Sequence, residues 1–185
     1  AIESKKGKLT TGILGTKFML EVLSREGRAD LAYAIVTQPE FPGWAWMLKN
    51  GATTLWDHWE FSDNTFSHNH PMFGSVSQWM MQWLGGIRPE ADAVGYDRVV
   101  IQPQTPPGLD WVKSSYQSIR GKIVSNWKRS GKEITFEIVI PPNTRARVIL
   151  PGRVTHENGK PFARKMEGRG FPLGSGQYEF VVFAD

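Results

Sequence analysis

The chain has 185 residues, 40% hydrophobic and 22% charged, which is the composition of a folded globular protein rather than a disordered one. It has no cysteine, excluding disulfides and thiolate chemistry, no apolar run near the roughly 18 residues of a membrane span, and no secretory-signal pattern in its opening residues. Its formal charge of +4 arises after Arg88, where fourteen basic residues face ten acidic ones, and the excess is scattered among apolar residues without a nucleic-acid-binding motif, so no nucleic-acid partner is expected.

From Thr11 to Ala34, Ile13, Leu14, Phe18, Leu20, Val22, Leu23, Leu31 and Ala34 recur mostly at three- and four-residue spacing. Glu26-Gly27-Arg28 interrupts them, predicting two short helices joined by a turn. The run from Thr37 to Gly43, with Pro39 and Pro42, breaks any helix, and Asn50-Gly51 marks a further turn. Ser75 to Leu84 reads as another helix that buries Val76, Trp79, Met80, Trp83 and Leu84 and stops at Gly85-Gly86. The first part of the chain is therefore helical. It carries six tryptophans on about three helices, more apolar surface than those helices can cover alone, so it reads as part of something larger.

After Pro89 the pattern changes to period two. Strands are predicted at Val99–Ile101, Trp111–Tyr116, Lys122–Lys128, Ile134–Ile140, Ala146–Leu150 and Tyr178–Phe183, with Ser130-Gly131 as a tight hairpin. Arg145 and Arg147 alternate with apolar residues as the solvent face of a strand does. So many short strands in fewer than 100 residues predict an antiparallel β-sandwich. The expected organisation is α+β, with helices over residues 1–88 and the sandwich over residues 89–185.

The chemistry-bearing segment lies between Trp44 and His70. It combines Trp44, Trp46, Trp56, Trp59, Phe61 and Phe66 with Asp57, Glu60, Asp63, His58, His68 and His70. Flat aromatic faces stack on the C–H faces of a pyranose, while carboxylates and imidazoles bind its hydroxyls directionally. A pair of carboxyl groups can also cleave a glycosidic bond, one protonating the leaving oxygen and the other attacking the sugar or activating water. Asp57, Glu60 and Asp63 are candidates. Packing is the competing reading: Trp79 and Trp83, at i and i+4, suit a core, and Asp63-Asn64 suits a turn or helix cap. His68 and His70 lack the helical i, i+4 spacing of a metal pair, so no metal or other cofactor is expected.

The run GATTLWDHWEFSDNTFSHNHPMFGSVSQWMMQWLGGIRPE, residues 51–90, resembles a signature stretch of the bacterial α-L-rhamnosidases, the inverting enzymes of glycoside hydrolase family 78. The stretch before it is similar to the family's preceding helix pair and loop, and GYDRVVIQPQTPPGLDWVKSSYQSIRGKIVSNWKRSGKEITFEIVIPP after it is similar to the family's β-sandwich, so nearly the whole chain is covered. The resemblance implies that residues 1 to about 88 are the last helices of an (α/α)6 barrel and that the general acid lies on an upstream stretch outside this chain. In the family the residue after the Trp of the Gly-Ala-Thr-Thr segment is a Glu that acts as general base. Here that position is Asp57, with Glu60 three positions on as an alternative carboxylate. Shortening the side chain by one methylene withdraws the carboxylate by roughly 1–1.5 Å, and a misplacement near 1 Å can cost on the order of 100-fold in rate.

The family's substrate-contacting His, in an Asn-His pair, falls on His70, and by analogy Trp44, Trp46 and Trp56 line the sugar pocket. The expected partners are a rhamnose-containing carbohydrate and the N-terminal remainder of a parent chain, with a homodimer through exposed helices as a further expectation. The isolated chain is expected to be inactive. No segment reads as an address, and a periplasmic or extracellular parent is the expectation. The alternative is a carbohydrate-binding or interaction module whose sandwich presents Trp111 and Trp127, although the alternation around Trp111 reads more simply as a core-facing tryptophan.

Overall fold

A computed structural model describes Lys8, residues 11–61 and residues 67–184. Its internal contacts divide the chain into two units, Ala1–Trp79 and Met80–Asp185.

The first unit is helical: α1 (Ile13–Arg25), α2 (Ala29–Thr37), α3 (Trp44–Lys49) and α4 (Ser75–Trp79). None of the described helices is long and apolar enough to cross a membrane. The predicted turn between the first two helices is a Schellman ending. Gly27, at φ 73°, lets its own N–H reach the Ser24 carbonyl (3.2 Å) while the Arg28 N–H reaches that of Leu23 (2.8 Å). Arg28 then forks onto Asp30 in the first turn of α2, and its guanidinium holds that carboxyl below the usual carboxylate range.

Helix α1 buries Thr16, Leu20 and Ser24, one residue per turn, and α2 buries Ala29, Ala32, Ile35 and Val36. Around α1 from that buried stripe lies a second one, Leu14, Phe18 and Val22, which are 66%, 56% and 55% exposed. An apolar row at i, i+4 and i+8 that meets solvent is unusual on a self-sufficient helix. Beneath α1, Trp79 is buried and its indole N–H donates to Ser24 Oγ at 2.8 Å.

The predicted helix over Ser75–Leu84 changes character at Met80. Met80–Leu84 is a π-helical turn, with the Gly85 N–H donating to the Met80 carbonyl at 2.9 Å. This turn opens the second unit. Trp83 is buried there, with the Arg88 guanidinium 4.2 Å from its ring centroid. Gly86, at φ 74°, follows, and a side chain there would collide with the backbone of Pro103.

The rest of the second unit is built from β1 (Ile87–Pro89), β2 (Arg98–Ile101), β3 (Trp111–Val112), β4 (Ser115–Ser118), β5 (Gly121–Ser130), β6 (Glu133–Ile140), β7 (Arg145–Val148), β8 (Arg153–Glu157), β9 (Lys160–Pro161), β10 (Phe171–Leu173) and β11 (Gly176–Phe183). They form two sheets, β1-β2-β7-β10 and β3-β5-β6-β11-β8-β9, with β4 also paired to β5. Ile87, Val99, Ile101, Val148 and Phe171 of the smaller sheet share one core with Ile123, Trp127, Ile134, Phe136, Ile138 and Phe180 of the larger. Two sheets facing across a common core make the predicted sandwich. Every pairing is antiparallel except β2 with β7, a parallel pair in register from Arg98↔Arg145 to Ile101↔Val148. The β5–β6 hairpin turns where Ser130-Gly131 predicts it, and Gly131 supplies the positive φ of 60° that the turn needs.

The two sandwich tryptophans, both offered by the sequence as binding platforms, differ in burial. Trp127 is 2% exposed, and its indole N–H donates to the Leu84 carbonyl at 2.9 Å, so it is a core anchor and not a binding platform. Trp111 is 60% exposed rather than core-facing. Its strand has two residues and pairs Trp111 with Lys128 and Val112 with Trp127, which puts Trp111 on the solvent side of the sheet.

Candidate functional site

The site is assembled by two segments of the first unit, residues 54–61 and 67–70, that pair backbone to backbone. The Asp57 N–H donates to the Ser67 carbonyl (2.9 Å) and the His70 N–H to the Leu55 carbonyl (2.8 Å), while the Thr54 hydroxyl donates to the His68 carbonyl. This cross-bracing brings together residues thirteen apart in sequence. His70 Nε2 lies 3.1 Å from Asp57 Oδ1, and both side chains are about a quarter exposed.

The tautomer of His70 follows from its other nitrogen. The Met72 N–H donates to Nδ1 at 3.1 Å, so Nδ1 is an acceptor and carries no proton. In the neutral ring the proton is then on Nε2, directed at Asp57. The backbone of Met72 thereby sets the orientation of an imidazole that in turn holds a carboxylate. Glu60 is exposed; its N–H lies 3.5 Å from His58 Nδ1 within the following bend. Asp63 and Phe66 lie outside the described residues.

The aromatic residues separate into two groups. Trp44, Trp59 and Phe73 form a buried cluster, with Trp59 stacked on Phe73 at 4.0 Å and edge-on to Trp44 at 5.3 Å. The Trp44 indole N–H is spent on the Phe73 carbonyl (3.0 Å), and that of Trp59 on the Thr11 carbonyl (3.1 Å). Trp44 and Trp56, both suggested by sequence as sugar-lining residues, are each 4% exposed, and the Trp44 indole N–H is engaged within this cluster.

The second group is a chain of ring contacts at the edge of the unit. Phe41 meets Trp46 (5.1 Å), Trp46 meets Trp56 (6.0 Å), Trp56 meets Phe61 (5.2 Å) and Phe61 lies over His68 (4.6 Å). Trp56 is buried at its centre, Trp46 is half-buried, and Phe41 and Phe61 are 40% and 51% exposed. Phe41 was not singled out from sequence. Its signal was its place between Glu40 and Pro42 in a loop, where a large apolar residue has little core to enter. Among the described residues no group of three or more His, Cys, Asp or Glu side chains is gathered as a metal site.

A carboxylate braced by an oriented imidazole, beside a wall of partly exposed aromatic rings, is an arrangement suited to carbohydrate. Two family models match the chain. Residues 1–84 match the bacterial alpha-L-rhamnosidase 6 hairpin glycosidase domain, and residues 86–162 match the bacterial alpha-L-rhamnosidase C-terminal domain. The chain belongs to the bacterial α-L-rhamnosidase family. It is 34% identical to an alpha-L-rhamnosidase of Streptomyces avermitilis over 98% of its own length and 18% of that protein's, and 32% identical to one of Formosa agariphila over 97% and 20%.

Solved rhamnosidase structures agree. The Streptomyces avermitilis alpha-L-rhamnosidase complexed with L-rhamnose superposes with a TM-score of 0.85 at 33% identity, covering 98% of this chain and 19% of that one. The alpha-L-rhamnosidase from Dictyoglumus thermophilum gives 0.87 at 29% identity, covering 98% and 22%. The chain thus spans about a fifth of the length of the rhamnosidases it matches.

Proposed function

We propose that this chain supplies the base side of the active site of an inverting α-L-rhamnosidase, which hydrolyses terminal α-L-rhamnosyl residues from glycosides or polysaccharides. The observation that carries the reading is the Asp57–His70 contact at 3.1 Å, with the imidazole oriented by the Met72 N–H. In inversion a carboxylate takes a proton from water as that water attacks the anomeric carbon, and a second carboxyl group roughly 6.5–9.5 Å away protonates the departing oxygen. Asp57 suits the first role. With Oδ1 bound by Nε2–H, its other oxygen is the one to receive the proton of the attacking water.

His70, with both ring nitrogens engaged by Met72 and Asp57, positions that carboxylate. Trp46 with Phe41 beside it, and Phe61 across Trp56, provide the apolar surface that a deoxysugar with a methyl group favours. Glu60 is the alternative base, but its exposure favours Asp57, whose side chain is about three-quarters buried against His70.

The acid is assigned to residues outside this chain, which makes the chain inactive alone. The exposed row Leu14, Phe18 and Val22 supports the same view, since in a longer protein further barrel helices would cover it. In the isolated chain the same row is the surface through which two copies would pair. The test is hydrolysis of an aryl α-L-rhamnoside, followed optically for rate and by proton NMR for the first-formed anomer. The chain alone should give no turnover above buffer, and the longer protein should release β-L-rhamnose. Enzyme-like turnover by the chain alone, abolished by Asp57→Asn, would contradict the missing acid; release of the α-anomer would contradict inversion.

A further inference from the structure

The larger sheet of the sandwich has a solvent face that the proposed chemistry does not use. Strand alternation sends Ile123, Trp127, Ile134, Phe136 and Ile138 into the core and leaves Asn126, Lys128, Thr135 and Glu137 on the opposite side. Register then groups them: Trp111 sits opposite Lys128, Lys128 opposite Thr135, and Asn126 opposite Glu137. Together with Lys113 they line an open groove of about 610 Å³.

Three features of this groove point to a ligand. Its largest aromatic ring, Trp111, is 60% exposed on a sheet whose other tryptophan is core, so packing does not explain it. Its polar groups are pre-oriented: Asn126 Oδ1 accepts the Ser114 N–H (3.1 Å) and Asn126 Nδ2 donates to Glu137 Oε2 (3.2 Å), which fixes an amide and a carboxylate beside the indole. Its charge is positive, since the exposed Lys113 and Lys128 accompany the single carboxylate of Glu137 in its lining. One flat ring with fixed hydrogen-bonding groups around it matches a pyranose, which presents a C–H face to the ring and hydroxyls to its rim. A protein interface of stable size would instead centre on several apolar anchors. The two exposed ammonium groups add a preference for a sugar that carries a carboxylate.

We propose that the sandwich bears a second glycan-binding site on this face, in which Trp111 stacks on a pyranose ring of a uronate-containing polysaccharide while Lys113 and Lys128 meet its carboxylates. The site holds the polymer and performs no chemistry. It does not depend on the role assigned to Asp57, because every group in it belongs to the second unit.

The experiment is calorimetric titration of the full chain, carrying Asp57→Asn to keep the first site out of the readout, with tetragalacturonate and with neutral cellotetraose. Tetragalacturonate should bind the more tightly, and its affinity should fall as sodium chloride rises. Trp111→Ala should weaken it by about tenfold or more, and Trp111→Phe should retain part of the affinity. Lys113→Ala with Lys128→Ala should erase the preference over cellotetraose. Trp111 is exposed, so an unchanged melting temperature in Trp111→Ala separates loss of binding from loss of fold. The proposal is overturned if neither oligosaccharide binds, if Trp111→Ala leaves binding intact, or if the neutral tetramer binds as well as the acidic one.

Discussion

Each nitrogen of His70 has its own partner, and two substitutions can separate them. Asparagine places an amide near the position of Nδ1 and glutamine places one near Nε2. His70→Asn can therefore still accept the Met72 N–H but abandons Asp57, whereas His70→Gln keeps a donor to Asp57 and abandons Met72. A hydrogen bond to a charged group contributes about 1.5–3 kcal/mol when shielded. Here the two side chains are 23% and 24% exposed, which lowers the expected coupling to about 1 kcal/mol. The assay is a double-mutant cycle of His70→Asn with Asp57→Asn, read by urea denaturation, with His70→Gln in parallel. The cycle should return a coupling of about 1 kcal/mol, and His70→Gln should retain more than half of it. A coupling under about 0.3 kcal/mol, or His70→Gln behaving like His70→Asn, would refute the assigned tautomer and with it the positioning role of the imidazole.

Trp127→Phe keeps the ring in the sandwich core but orphans the Leu84 carbonyl, and should cost about 2–3 kcal/mol in urea denaturation of the chain. Replacing Leu14, Phe18 and Val22 together with serine should convert a self-associating chain into a monomer by light scattering; an unchanged mass would remove the exposed row as the contact surface. The Val94 N–H donates to Asp97 Oδ1 at 2.8 Å and holds that carboxyl below the usual range, so its proton binds more weakly in the folded chain than in the unfolded one. The resulting stabilisation is complete above the unfolded pKa of about 3.9 and is lost as pH falls through the lower folded value. Asp97→Asn should accordingly be less stable than the parent at about pH 6 and converge with it near about pH 2 in thermal melts.

The sequence was most informative where one period dominates. The alternation in Lys122–Lys128 and Ile134–Ile140 located the two central strands and their hairpin, because both faces of each strand differ sharply in polarity. It was silent on β1, β8, β9 and β10: Ile87–Pro89, Lys160–Pro161 and Phe171–Leu173 are two or three residues long and contain proline, and Arg153–Glu157 has Val154 as its single apolar residue. Trp111 was misplaced for a related reason. Trp111–Val112 is too short a strand for alternation to establish which face is inner, and only pairing with Lys128 decides it. In the first unit, Asp57 and His70 were each recognisable by type and neighbours, but their contact was not, since it depends on the Asp57–Ser67 and His70–Leu55 backbone bonds between two irregular segments. Trp44 and Trp46 differ by two positions on α3, and only the structure separates the buried ring from the half-exposed one.

The proposal that Asp57 is the base is tested most directly in the longer rhamnosidase that carries this chain, by kcat on an aryl α-L-rhamnoside for Asp57→Asn and Asp57→Glu. Asp57→Asn should lose about 100-fold or more in kcat with KM little changed, as expected for a group that acts mainly in the transition state. Asp57→Glu, which restores the longer carboxylate, should retain or raise kcat. A kcat for Asp57→Asn within about twofold of the parent, with Glu60→Gln inactive instead, would contradict the assignment of Asp57 as the base.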